Sequence, residues 1–372
     1  MSSPPPRAEI RKVLIVRTSA LGDIVHVLPS LSALRAALPG ARVAWLVEPA
    51  GAGLLETHPE VAEVFVIPRQ EWKRWARDPR RWPALARDMF RLWRRLRRER
   101  FDLVLDFHGN LRSTWMLLMA GGRRRLGFHR RDVAERGGAL LTGWKASRAP
   151  ARLNKVEKNL LLIRELGFAG ACPRGTVHVP AEDREWARGL FASLPGAGPR
   201  IAIHPAVSRF GELKRWPAER FRELIDLLVA RHDARVLITW AGAEREIAES
   251  VGRPTLLPEP VPLIRFAALL EAADLVIAAD TGALPLAAVL GTPAVGLFGP
   301  KDPVVYAPYP EPVEVVTSTA PCSPCRLRSC EHRICMAVIP AAAALAAAER
   351  ALARGRRAAA DLPALAGQAG AS

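Results

Sequence analysis

Short unbroken apolar runs along the chain alternate with longer stretches in which apolar residues recur every three or four positions. Residues 13–17, 42–47 (RVAWLV), 63–67, 102–106 (DLVLD) and about 124–128 are runs of the first kind in the first half. Residues 200–203 (RIAI), 235–239 (RVLIT), 275–279 (LVIAA) and 293–297 are their counterparts in the second. Such runs, lacking polar alternation, suit parallel strands covered on both faces. Helical spacing predicts helices near 23–37, 83–100, 111–119 and 153–166, then 217–231, 243–251, 262–272 and 283–290. Residues 180–199 hold one more helix between proline- and glycine-rich stretches, which marks a domain junction. The alternation predicts an α/β protein with two doubly wound parallel sheets, one per half, facing each other across a cleft at their strand ends. An alanine-rich helix is expected over 341–357, and the remainder, 358–372, has too little to bury to fold.

With 372 residues and 49% hydrophobic content the chain can bury two cores. No apolar stretch approaches the ~18–20 residues that span a bilayer. The first residues, MSSPPPRAEIRK, lack the apolar region of a secretion signal, so a cytoplasmic location is expected. The net charge of +17 is unevenly placed: residues 69–100 carry 13 Lys/Arg against 4 Asp/Glu, with Trp72, Trp75, Trp82 and Trp93 among them. From residue 83 onward, Leu85, Met89, Leu92, Trp93 and Leu96 share one helical face, and Arg87, Arg91, Arg94, Arg95 and Arg98 mark the other. Interleaved Trp and Arg suit an anionic membrane surface or a phosphorylated glycolipid, and a merely solvated basic helix is the alternative. Nucleic acid ranks below both, because no helix-turn-helix, RNP or zinc-finger pattern accompanies the charge.

Two strand-to-helix turns carry candidate chemistry. Asp280-Thr281-Gly282 lies between the run 275–279 and the helix 283–290, at the sheet edge where open α/β folds bind ligands and free helix N–H groups attract phosphate. A capping aspartate without further function would look the same. The segment after residue 17, TSALGD, has neither GxGxxG nor GxxxxGK[ST], but it offers Asp23 at the end of the first strand. Complementing a helix dipole is the plain alternative for Asp23. Near the C-terminus, CSPCRLRSCEHRIC places Cys322, Cys325, Cys330 and Cys335 close together, with His332 among them. These read as a closed zinc site, a redox-sensitive thiol group, or reduced and packed cysteines; the short interval between Cys325 and Cys330 weighs against zinc.

Taken together, VLIVRTSALGDIVHVLPSLSALRAALP, DLVLDFHGNLRST, HPAVSRFGELKRWPAERFRELIDLL and DTGALPLAAVLGTPAVGLFGPKDP resemble, in order, the signatures of glycosyltransferase family 9, the ADP-heptose:lipopolysaccharide heptosyltransferases. The resemblance covers about residues 11–340. It implies a GT-B fold with two Rossmann-like domains: 1–180 for the acceptor, 181–340 for the nucleotide sugar, a helix 341–357 crossing back to the first domain, and a disordered tail 358–372. It further implies inverting transfer of heptose from an ADP-sugar to a phosphorylated lipid A–Kdo acceptor at the cytoplasmic face of the inner membrane, with no required metal or other cofactor. By the same resemblance Asp23 is the catalytic base and Lys214 stabilises charge on the leaving diphosphate. Ser208, Lys214, Glu244, Asp280, Thr281 and Gly282 bind the donor. Ser19, Asp106, Asn110 and Arg112 hold the acceptor, together with Lys73, Arg74 and Arg77, which come after the Ile67-Pro68 step. Family members carry a comparable cysteine stretch without needing metal for turnover.

One position departs from the family pattern. Where the family has a histidine after Asp-Thr-Gly, this chain has Pro285. Its first-turn position is compatible with a helix. The change leaves three readings: another residue such as Lys301 substitutes, the donor differs, or the chain is a non-catalytic glycolipid- or nucleotide-binding relative. Retention of Asp23 and Lys214 argues against the last.

Overall fold

The computed structural model describes residues 9–133, 135–139, 141–207, 209–241, 244–253, 255–309, 313–325, 327 and 329–366. The chain divides into two compact units, Met1–His178 and Val179–Ser372, at the near edge of the expected junction.

The first unit is built on six parallel strands: β1 (Lys12–Val16), β2 (Arg42–Val47), β3 (Glu63–Val66), β4 (Leu103–Asp106), β5 (Arg124–Gly127) and β6 (Trp144–Lys145). Their order is β3-β2-β1-β4-β5-β6, with Val16 in register with Leu46 on one side and Asp106 on the other. The last four residues of β1 and all of β4 are buried, as their unbroken apolar pattern requires. The helix expected over 23–37 is two helices, Leu21–Val25 and Leu28–Ala37. Pro29 explains the break: it opens the second helix, and its ring and missing N–H prevent continuation of the first. Helices Pro49–Glu56 and Arg69–Ala76 and the two-residue β6 were not anticipated. The basic helix Trp82–Glu99 buries Leu92 and Leu96, and packs Leu85 and Met89 partly against a core that includes Phe65, Trp72 and Phe101.

The second unit holds β7 (Arg200–His204), β8 (Arg235–Ile238), β9 (Leu275–Ala279), β10 (Ala294–Phe298) and β11 (Glu314–Thr317), ordered β11-β10-β9-β7-β8 with every pair parallel. Helix Ala283–Leu290 has its expected bounds and ends at Gly291, whose φ of 83° is the left-handed conformation that glycine supplies at a helix C-terminus. The C-terminal helix, expected to end at Arg357, runs from Ala341 to Ala366, through most of the expected tail; residues 367–372 lie outside the described residues. It packs on helix Ala218–His232 and on β9, β10 and β11, all in the second unit. Ala341, Ala344, Ala347, Ala348 and Ala351 are buried there, and their small side chains permit close approach.

In both sheets the chain reverses its winding direction once. β1 lies between β2 and β4, and β7 lies between β8 and β9. The loops leaving those strands therefore diverge at the carboxyl edge and open a crevice there, which is where α/β sheets of this kind hold ligands.

Candidate functional site

In the first unit, the loops after β1 and β4 meet at this edge. Asp23 sits in the first turn of Leu21–Val25, about three-quarters buried, between two cations. Arg17 Nη2 lies 2.5 Å from Oδ2, and Lys155 Nζ donates to Oδ1 at 2.6 Å. Burial alone would raise the pKa of this carboxyl. The charges of Arg17 and Lys155 outweigh burial and hold it well below the usual carboxylate range. Arg17 also donates to the Phe107 carbonyl at 2.6 Å, which ties the β1 loop to the β4 loop. Burial, helped by the positive charge of Lys155, pushes His26 down to about 3, and neither of its ring nitrogens has a hydrogen-bond partner among the described residues. His108 is likewise driven to about 3, by burial and then by Arg17. Both imidazoles are therefore neutral at physiological pH.

Asp106 departs from its expected place among the acceptor ligands. It is 1% exposed and fully engaged: Oδ1 accepts from the N–H groups of His108 and Gly109, and Oδ2 accepts from the Ser113 hydroxyl at 2.9 Å. As placed, it shapes the turn that presents Asn110. Asn110 caps helix Leu111–Ala120 through a reciprocal pair of bonds with Ser113. Arg112 is exposed one residue past the start of that helix, and Ser19 is half-buried in the β1 loop. Lys73, Arg74 and Arg77 are exposed on and just after helix Arg69–Ala76. The tryptophans between them serve the core instead: Trp72 is buried and its indole donates to Asp88 at 2.6 Å, and Trp75 packs on the core. Within residues 69–100 the exposed aromatics are Trp82, Phe90 and Trp93, so Trp93 leaves the buried face where its spacing had put it.

In the second unit, Glu244, His204 and Asp280 stand at or just past the ends of β8, β7 and β9, three neighbouring strands. Lys214 closes the turn Arg209–Lys214, and the anchor for that turn is Trp216, two residues on. Trp216 is fully buried, donates its indole N–H to the Ile339 carbonyl at 3.0 Å, and stacks edge-on against Phe221. Lys214 Nζ donates to the Asp280 carbonyl at 3.0 Å and forms an ion pair with Asp280 Oδ2 at 2.6 Å. Thr281 Oγ1 is shielded from solvent with no partner among the described residues, a deficit worth about 1–3 kcal/mol that a ligand oxygen would remove. Gly282 stands at the start of helix Ala283–Leu290, which has no side-chain cap and no acid in its first turn, so no side chain there offsets its positive dipole end, although the Leu284 N–H is already bonded to the Thr281 carbonyl at 3.3 Å. Pro285, the third residue of that helix, is buried and lacks an N–H where one would have had no helical partner. Burial raises Glu244, whose carboxylate lies 3.9 Å from His204 Nε2. Burial also holds His204 at about 4, so this contact is not an ion pair at neutral pH. Ser208 lies outside the described residues.

All the candidate residues that are described thus fall at carboxyl edges or on the helices that begin there. Sequence reasoning missed Arg17 and Lys155, which set the charge state of Asp23. Arg17 ends the first apolar run and could have been paired with Asp23 from its position. Lys155 is 132 residues from Asp23, and no local pattern announces it. The four cysteines near the C-terminus form no disulfide: Cys322 is exposed, Cys325 and Cys330 are half-buried, and Cys335 is buried. Among the described residues, no three His, Cys, Asp or Glu side chains are gathered to hold a metal ion. No helix among the described residues is long and apolar enough to cross a membrane.

Comparison with known proteins adds to this picture. Residues 89–335 match the model of glycosyltransferase family 9 (heptosyltransferase). The chain is 29% identical over 335 residues to lipopolysaccharide heptosyltransferase 1 of Pseudomonas aeruginosa, covering 87% of this chain and 88% of that protein. It is 28% identical over 305 residues to lipopolysaccharide heptosyltransferase 1 of Escherichia coli K12, covering 80% of this chain and 91% of that protein. Among solved structures, the E. coli heptosyltransferase WaaC with ADP superimposes with a TM-score of 0.72 at 25% identity, covering 91% of this chain and 99% of that one.

Proposed function

Because the chain belongs to glycosyltransferase family 9, the heptosyltransferases, we propose that it transfers heptose from ADP-heptose to the inner core of lipopolysaccharide, with inversion at the anomeric carbon. The observation that carries this reading is the second unit's carboxyl edge. There a paired lysine, an unpartnered buried hydroxyl and an uncapped helix start converge where a diphosphate would bind. In this reading Lys214, the Thr281 hydroxyl and the Gly282 N–H meet the charge that develops on the β-phosphate as the sugar departs. Glu244, beside a neutral His204, accepts from the ribose hydroxyls, and Asp280 holds Lys214 in position.

Asp23 takes the proton of the acceptor hydroxyl as that oxygen attacks the anomeric carbon. Its two cations keep it ionised, the form a base needs, but they also make it a weak one. Proton transfer is therefore easiest once an anionic acceptor has drawn Lys155 away. The acceptor we propose is a phosphorylated lipid A–Kdo glycolipid, held by Ser19, Asn110, Arg112 and the exposed Lys73, Arg74 and Arg77, whose charges suit carboxylate and phosphate. The exposed Trp82, Phe90 and Trp93 among arginines would rest the protein on the anionic cytoplasmic face of the inner membrane.

The test is transfer by the purified chain from a panel of ADP- and UDP-sugars to deacylated core acceptors, with the anomeric configuration of the product read by NMR. Inverted heptosyl product from ADP-heptose is expected. Turnover only with a different donor would establish the second reading, which Pro285 favours: a member of the family with another nucleotide sugar. Donor binding without turnover on any acceptor would make the chain a non-catalytic relative.

A further inference from the structure

The segment that bears the four C-terminal cysteines belongs to the second unit. It folds onto the turn after β10: the Cys325 N–H donates to the Pro300 carbonyl at 2.8 Å, and the Ser323 hydroxyl donates to the Gly299 carbonyl at 2.5 Å. Met336, 1% exposed, lies so close over Gly299 that no larger residue fits there without displacing it. The result is a cavity of about 510 Å³ walled by Lys214, Glu212, Lys301, Leu327, Cys330 and Arg333. Three of those six carry positive charge and one carries negative.

We propose that Lys301 and Arg333 are further ligands of the donor's diphosphate, which they reach through the cavity they share with Lys214. This rests on the reading that Lys214 meets the β-phosphate. Lys301 comes directly after the turn that ends β10, and its ammonium lies 5.7 Å from the centre of the Tyr306 ring. That contact orients the group without neutralising it, and no carboxylate pairs with Lys301 among the described residues. Arg333 is held at 3.0 Å by Glu212, and both side chains are well exposed, so the pair is weak and exchangeable. Glu212 keeps a second cation, Arg215, at 3.8 Å, so releasing Arg333 to a phosphate leaves no stranded carboxylate. The backbone of Arg333 has a φ of 44°, an uncommon conformation for a residue with a side chain. It persists because its neighbours fix it: the Met336 N–H donates to the Arg333 carbonyl at 3.2 Å, with Met336 and Cys335 buried behind it. Packing thus presents the guanidinium to the cavity at a cost to the local backbone, as is common where a side chain is aimed at a ligand.

Calorimetric titration of the full chain with ADP, AMP, UDP and UMP tests this, because the diphosphate-to-monophosphate affinity ratio isolates the β-phosphate. Lys301→Gln and Arg333→Gln should each weaken diphosphate binding about tenfold, a change typical of a lost charge-assisted contact, while moving monophosphate binding less than about twofold. Lys301→Arg and Arg333→Lys should retain most of the affinity, which separates lost charge from disturbed folding. A parent that binds ADP, with the ratio unchanged in both Gln variants, overturns the inference and leaves the ADP-sugar reading standing. A parent that prefers UDP, with the ratio collapsing in both variants, supports the inference and overturns the ADP-sugar reading. A parent that distinguishes neither diphosphate from its monophosphate overturns both.

Discussion

Replacing Asp23 by asparagine removes one charge from a cluster of three. Asp23 is bonded to Lys155 at 2.6 Å and paired with Arg17 at 2.5 Å. A hydrogen bond to a charged group contributes about 1.5–3 kcal/mol when shielded. Lys155 is about one-third exposed and Asp23 about one-quarter, so solvent screening discounts each contact, and the two together are worth about 2 kcal/mol. For a unit of this size that is a fall of about 4–8 °C in melting temperature. The sign of the pH dependence is set by the carboxyl being held below its unfolded value. Its stabilisation is complete above the unfolded value near pH ~4 and is lost as pH falls through the lower, folded value. The stability gap between parent and Asp23→Asn should therefore be constant from about pH 5 to 8 and narrow only below about 4. Transfer should fall at least ~100-fold if Asp23 is the base, with ADP affinity unchanged, since the proposed donor ligands are in the other unit. Thermal melts across pH, calorimetry with ADP and initial rates at saturating acceptor measure the three quantities. A variant that turns over within tenfold of the parent would remove Asp23 from proton transfer. A stability gap that closed on going from pH 5 to 8 would refute the assigned charge state.

Lys214→Ala should weaken ADP binding by about 1–2 kcal/mol in calorimetry, less than a free lysine would, because part of its charge is already committed to Asp280. Thr281→Val should leave the unliganded protein as stable or up to about 1 kcal/mol more so, and cost about 1 kcal/mol in ADP affinity; a drop in the unliganded melting temperature would mean that the hydroxyl already has a partner. Replacing Lys73, Arg74 and Arg77 together should raise the acceptor KM and leave donor affinity alone, and unchanged acceptor kinetics would make them a solvated face. Replacing Arg91, Arg94 and Arg98 should weaken sedimentation with anionic vesicles, an effect that added salt reproduces; equal binding by parent and variant would end the membrane reading.

The parts of the fold legible in the sequence were those whose signal is local. Strand β9 and helix Ala283–Leu290 have the bounds the sequence suggested, because an unbroken apolar run and a terminal Gly291 mark both ends. Helix Arg69–Ala76 was hidden because a single buried residue, Trp72, anchors it amid charges that read as surface. Strand β6 is two residues long and exists only because β5 offers it an edge. The same division runs through the candidate site. Asp23, Lys214 and Asp280 could be named from their turns, but not the ion pairs they make, which reach Lys155, 132 residues away, for Asp23 and Asp280, 66 residues away, for Lys214. Those partners alter the chemistry. The proposed base, Asp23, is held ionised at the expense of its basicity, and the proposed phosphate ligand, Lys214, is held in place at the expense of its free charge. In the proposed reading each unit thus keeps its reactive group balanced until a substrate of the right charge competes for the partner. An anionic acceptor would release Asp23 from Lys155, and a diphosphate would draw Lys214 from Asp280. Neutral analogues of either substrate would fill the same space and leave both pairs intact.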